Sequence, residues 1–110
     1  MTQFVPDVAF VSREQRDSLS REERQEPPFA PLIVVEVRSP SDRIVLRAAK
    51  IERYLATGSV LVLDVDPEKR TIAAHSADGV SNFSESQLFR RRVAPWLVFA
   101  VKYVFADLDD

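Results

Sequence analysis

A chain of 110 residues, 45% of them hydrophobic, is the size of one compact domain, and a single domain over 1–110 is expected. The absence of cysteine excludes disulfides, thiolate metal sites and a cysteine nucleophile. A formal net charge of −2 argues against nucleic-acid binding through overall charge and leaves only a local basic face for it. No apolar stretch reaches the ~18 residues of a membrane span. The first residues also lack the charged and apolar regions of a signal peptide. A cytoplasmic protein without membrane contact is therefore expected, and a core this small favours a homodimer that covers further apolar area.

In chain order, Phe4 to Val11 reads as a short strand whose polar entrance carries Asp7 after Pro6. Ser12 to Pro28 is a solvated connection of mixed charge with room for one helical turn. Leu32 to Val37 is almost continuously β-branched or otherwise apolar, the pattern of a strand buried on both faces, and Glu36 interrupts it. An ionised carboxylate there costs several kcal/mol, roughly, unless a cation, a metal or strong donors meet it. Ser39-Pro40-Ser41-Asp42 is a turn, with Ser41 or Asp42 as helix N-cap. Ile44, Leu46, Ala48, Ile51, Tyr54 and Leu55 then follow a helical spacing that stops at Gly58.

Ser59 to Val65 is a second apolar strand, so strand, helix and strand make a crossover to a parallel neighbour. Asp66 to Lys69 is a turn, Arg70 to His75 a further strand, and Asp78-Gly79 a hairpin into Val80 to Phe83. The sheet is thus predicted to be mixed, in an α/β (α+β) domain. Leu88 to Arg92 is a basic and apolar patch. Trp96 to Leu108 is apolar with an ambiguous period: a strand near Leu97 to Val101 running into a short helix, or one full helix. The acidic tail from Asp107 is expected to fray.

Three polar residues fall in suggestive places. If the first two strands are antiparallel neighbours, Asp7 at one entrance and Glu36 near the other's exit converge, with Lys50 on the following helix. Two carboxylates at one sheet end form a hard oxygen site suited to Mg²⁺ or Mn²⁺. Such an ion polarises a phosphoryl oxygen and acidifies a bound water, the chemistry of phosphodiester hydrolysis. A lysine beside it orients water or compensates developing charge. The plainer alternative is a Glu36–Lys50 salt bridge without metal. Arg47, Lys50 and Arg53 share a helical side as a solvated face or a phosphate-facing ridge. Arg90-Arg91-Arg92 reads as a surface loop, His75 as a strand residue, and Trp96, Phe99, Tyr103 and Phe105 as core or dimer interface.

The order Pro6-Asp7-Val8-Ala9-Phe10-Val11, then Val34-Val35-Glu36-Val37-Arg38-Ser39-Pro40-Ser41-Asp42, then Lys50, Tyr54 and Gly58, closely resembles the Uma-two family. That family belongs to the PD-(D/E)XK restriction-endonuclease-like superfamily. Leu63-Asp64-Val65-Asp66-Pro67 and the segment from Pro95 to Phe105 look like it too. The resemblance implies a restriction-endonuclease-like core and a divalent-metal-dependent endonuclease acting on DNA. It makes Asp7, Glu36 and Val37 the ligands of Mg²⁺ or Mn²⁺, and Asp7, Glu36 and Lys50 the catalytic set. Lys50 stands for the family's displaced helical lysine. The usual lysine position falls at Arg38, which can contact phosphate but cannot shed a proton near neutral pH. The family generally places a helix and further strands before the Pro-Asp strand, whereas five residues precede Pro6 here. A core shortened at its N-terminus is therefore expected. The alternative function is a catalytically inactive interaction module with the same fold, as a homodimer.

Overall fold

Strand β2 (Ile33–Val37) runs inside a five-stranded sheet of order β1-β2-β3-β4-β5. The computed structural model describes residues 8–17 and 31–109. β1 (Val8–Phe10) pairs antiparallel with β2, joining Val8 to Val35 and Phe10 to Ile33. β3 (Leu61–Asp66) pairs parallel with β2 on its other side, and β4 (Thr71–Ser76) and β5 (Gly79–Ser84) continue the sheet antiparallel. A short α1 (Arg13–Asp17) follows β1, within the connection read as polar. The crossover between the parallel strands is α2 (Ile44–Ala56). The mixed sheet with its crossover helix is thus as expected, because apolar runs at β2 and β3 flank one helical repeat.

The sheet has two covered faces. Ile33, Leu61, Leu63, Val65, Ile72 and Ala74 pack on one side against Phe89, Ala94, Val101 and Phe105. That cover is a small second sheet of β6 (Leu88–Phe89) and β7 (Phe99–Ala100), followed by a 3₁₀ helix, Val101–Asp109. Phe89 stacks on Phe99 with ring centroids 4.8 Å apart, and Phe83 leans on Phe89 at the same separation. On the opposite side Val34 and Val62 meet Ile51 and Tyr54 of α2, with Leu55 beside them. Period two along the strands separates these faces. It puts Glu36, Asp64 and Asp66 on the side of α2.

Three expectations change in detail. The helix starts at Ile44 with Arg43 at the N-cap and no side-chain cap. The Asp42 carboxylate instead accepts the Ser39 N–H at 2.8 Å and the Ser39 hydroxyl at 3.1 Å, closing the turn. A local Asx-type bond has outcompeted the capping role. The helical spacing from Ile44 to Leu55 is real, but only its second half is covered: Ile44 and Val45 are 82% and 80% exposed, and Leu46 is exposed too. In the last apolar stretch the strand is only Phe99–Ala100, the helix is 3₁₀, and Phe105 is core while Trp96 and Tyr103 face solvent. Gly58 ends α2 at φ +119° and Gly79 turns the β4–β5 hairpin at φ +129°, both conformations that favour glycine. The tail expected to fray from Asp107 continues the 3₁₀ helix as far as Asp109, and Asp110 lies outside the described residues.

Candidate functional site

The parallel pairing of β2 and β3 sets Glu36 directly opposite Asp64. Both acids are buried, at 5% and 6% exposure. Like charges opposite one another on one face repel, so this pair exists only because cations meet it. α2 supplies two of them. Arg47 and Lys50, three residues apart, lie on the same side of the helix.

The Lys50 ammonium contacts both Glu36 oxygens, 3.0 Å from Oε1 and 3.1 Å from Oε2. Arg47 donates to Asp64 Oδ1 from Nε at 2.8 Å and also from Nη2, and it reaches Asp42 at 2.9 Å through Nη1. Arg38, leaving the end of β2, donates to Asp64 Oδ2 at 3.2 Å and to Asp66 Oδ2 at 3.4 Å. Asp66 Oδ1 accepts the backbone N–H groups of Glu68 and Lys69 at 3.1 Å each, which ties the β3–β4 turn to the same network.

The electrostatics follow these contacts. Burial works against the Arg47 charge, but the hydrogen bonds and charge of Asp64, with Asp42 and Glu36 behind it, outweigh burial and hold its pKa above the ordinary value. Asp42 lies below the usual carboxylate range, chiefly because it accepts the Ser39 backbone N–H, with Arg47 and Lys50 adding to the effect. His75, on β4, is pushed down by burial, only partly offset by the charge of Asp64.

Two depressions open where β2 and β3 end, the usual location of ligand sites in α/β sheets. One, of about 630 Å³, is walled by Glu36, Val37, Arg43, Arg47 and Lys50. The other, of about 310 Å³, lies between Arg38, Ser39, Arg47 and Asp66. Glu36, Val37 and Lys50 thus share one groove, while Arg38 borders the neighbouring one. Asp7 lies outside the described residues. Val8, the next residue in the chain, pairs with Val35, the residue before Glu36.

Glu36 offers carboxylate oxygens and Val37 a backbone carbonyl, hard donors that fit Mg²⁺ or Mn²⁺ in kind. Among the described residues no group of three or more His, Asp or Glu side chains stands close enough to hold a metal. Sequence reasoning missed Asp64 as a member of this cluster. Its signal was present in the alternation Leu63-Asp64-Val65-Asp66, which puts two more acids on one strand face. Arg91, read as part of a surface run, instead bonds Ser76 and Ser81 and reaches Asp78 at 3.2 Å, fastening the β4–β5 hairpin.

A mixed five-stranded sheet with one crossover helix between its parallel strands is a restriction-endonuclease-like α/β arrangement. The chain belongs to the Uma2 family, described as "Putative restriction endonuclease", whose profile matches residues 2–100. A crystal structure from Anabaena variabilis ATCC 29413, of "a putative nuclease belonging to DUF820", superposes with a TM-score of 0.62 at 21% identity. The match covers 71% of this chain and 45% of that one, so this chain spans a little under half the length of that structure. At this identity the likeness concerns the fold. Among curated proteins nothing matches. Among the described residues no helix is long and apolar enough to cross a membrane.

Proposed function

We propose that this chain carries the site of a divalent-metal-dependent endonuclease that hydrolyses phosphodiester bonds in DNA, in the cytoplasm. The observation that supports it is the Glu36–Lys50 contact of 3.0 Å in the wall of an open groove, in a chain of this family. Asp7, Glu36 and the backbone carbonyl of Val37 are the proposed ligands of Mg²⁺ or Mn²⁺. The Val8–Val35 pairing, one residue from each acid, is what favours Asp7 as the companion of Glu36.

A bound divalent ion supplies Lewis-acid polarisation of the phosphoryl oxygen and a more acidic water. The chain's own contribution is electrostatic. Lys50 holds its ammonium at the groove wall, where it compensates negative charge gathering on the phosphate oxygens and orients the attacking water. Arg38, half-exposed beside the second depression, is the proposed contact to a flanking phosphate, with Asp64 and Asp66 fixing its guanidinium.

The test is incubation of purified protein with Mg²⁺ or Mn²⁺ and supercoiled or linear DNA. Metal-dependent cleavage that disappears in Glu36→Gln and in Lys50→Met is expected. Cleavage unchanged in Glu36→Gln sinks the assignment of the site.

The exposed Ile44-Val45-Leu46 turn beside the groove favours a second reading, an inactive interaction module that dimerises. Sedimentation equilibrium decides it. A dimer lost on Val45→Glu, in a protein without cleavage under any metal, is its expected result, and a monomer counts against it.

A further inference from the structure

The two helical cations have no intrinsic reason to choose different acids. Arg47 and Lys50 sit on one face of α2 above two carboxylates that adjoin across the parallel ladder. Yet the pairing is sorted. Lys50 contacts Glu36, and Arg47 directs Nε and Nη2 to Asp64, although the Glu36 charge also acts on it. Asp64 is equally selective, giving one oxygen to Arg47 and the other to Arg38.

We propose that Asp64 is a positioning residue for the Glu36 site: by holding Arg47, it keeps the second cation of α2 off the Glu36 carboxylate that Lys50 contacts. The inference rests on the reading of Glu36 as a metal ligand.

The chemistry of the two cations makes the sorting matter. An arginine is always charged, and its planar fork binds a carboxylate through two parallel hydrogen bonds. A guanidinium seated on Glu36 would occupy both oxygens that a metal needs. A lysine offers a compact charge on a flexible stem and leaves more readily. The Arg47 side chain is also the more enclosed of the two, 11% exposed against 27% for Lys50. Losing Asp64 would leave it Asp42, which it already contacts, and Glu36, whose charge acts on it. Asp42 keeps only Nη1 of Arg47, and its own carboxylate is already engaged with Ser39.

The test is Mn²⁺ binding without nucleic acid, by titration calorimetry, on wild type, Asp64→Asn, Arg47→Met and the double variant, each checked for folding by circular dichroism. Asp64→Asn is expected to weaken Mn²⁺ binding about ten- to a hundred-fold, the usual effect of disturbing a group behind a metal ligand. Arg47→Met and the double variant are expected to bind close to wild type, because the intruding cation is gone. A double variant as weak as Asp64→Asn, or an Asp64→Asn protein equal to wild type, overturns the proposal. Wild type that binds no Mn²⁺ defeats the metal reading itself. The crystal structure of Asp64→Asn then still decides the sorting: Arg47 on Glu36 supports it, and Arg47 still at position 64 refutes it.

Discussion

Replacing Lys50 by methionine removes the ammonium and keeps most of the aliphatic stem. Glu36, 5% exposed, then loses a cation that sits 3.0 Å and 3.1 Å from its two oxygens. Breaking a fully buried pair costs about 3–5 kcal/mol because the surviving charge is left uncompensated. The Lys50 side chain is 27% exposed, so water reaches one side of the pair. We therefore take about 2–3 kcal/mol, below that range. For a domain near this size that corresponds to a fall in Tm of roughly 8–20 °C.

Urea unfolding at pH 7.5, followed by far-ultraviolet circular dichroism, measures it. The double variant Glu36→Gln/Lys50→Met should regain most of the loss, since neither charge of the pair is left behind without the other, and the difference defines the coupling between the two groups. Mn²⁺ should stabilise Lys50→Met more than wild type if the ion takes over the role of the ammonium. A Lys50→Met protein within about 0.5 kcal/mol of wild type, the range of ordinary surface substitutions, would refute the view that Glu36 depends on this contact.

Three further outcomes are expected. Burial lowers the folded pKa of His75 below its ordinary 6.5, so the unfolded chain takes up the proton first. Its contribution to stability is complete above about pH 6.5 and is lost as pH falls from there through the folded value. His75→Gln should flatten that slope between pH 7.5 and 5.5 in urea unfolding, and an unchanged slope would assign it to other groups. Gly79→Ala meets no neighbour within 4 Å but must keep φ near +129°, so backbone strain alone should cost about 1–3 kcal/mol, read as a lower urea midpoint. Arg91→Ala releases Ser76, Ser81 and Asp78 and should raise hydrogen exchange across β5 while leaving β2 and β3 protected.

Much of the fold was legible because apolar runs, one helical repeat and two turn glycines punctuate the chain. Glu36 stood out as a lone carboxylate in an apolar strand, and Lys50 was singled out from its helical neighbours by the family resemblance rather than by spacing. Asp64 did not, although it is as buried as Glu36. Its meaning depends on the β2–β3 register, which sets it opposite Glu36, and register across a crossover is a tertiary property. Without it, Asp64 and Asp66 looked like the polar end of a strand entering a turn. The same holds for Arg47, indistinguishable in sequence from the exposed Arg53 until the sheet beneath α2 is in place. Asp42 was a sound N-cap by composition, but the preceding Ser39 offered its carboxylate a nearer N–H. The bare apolar turn at Ile44-Val45-Leu46 shows the limit of periodicity, which gives a helix's spacing without saying how far the sheet extends beneath it.

The central claim is that Glu36 and Lys50 form the working heart of a metal-dependent nuclease site. The most direct measurement is the cleavage of supercoiled DNA by wild type, Glu36→Gln and Lys50→Met, each with Mn²⁺ and with chelator. Nicking or linearisation by wild type with Mn²⁺ alone, absent from both folded variants, is predicted. Chelator-resistant cleavage, or equal cleavage by wild type and Glu36→Gln, would contradict it.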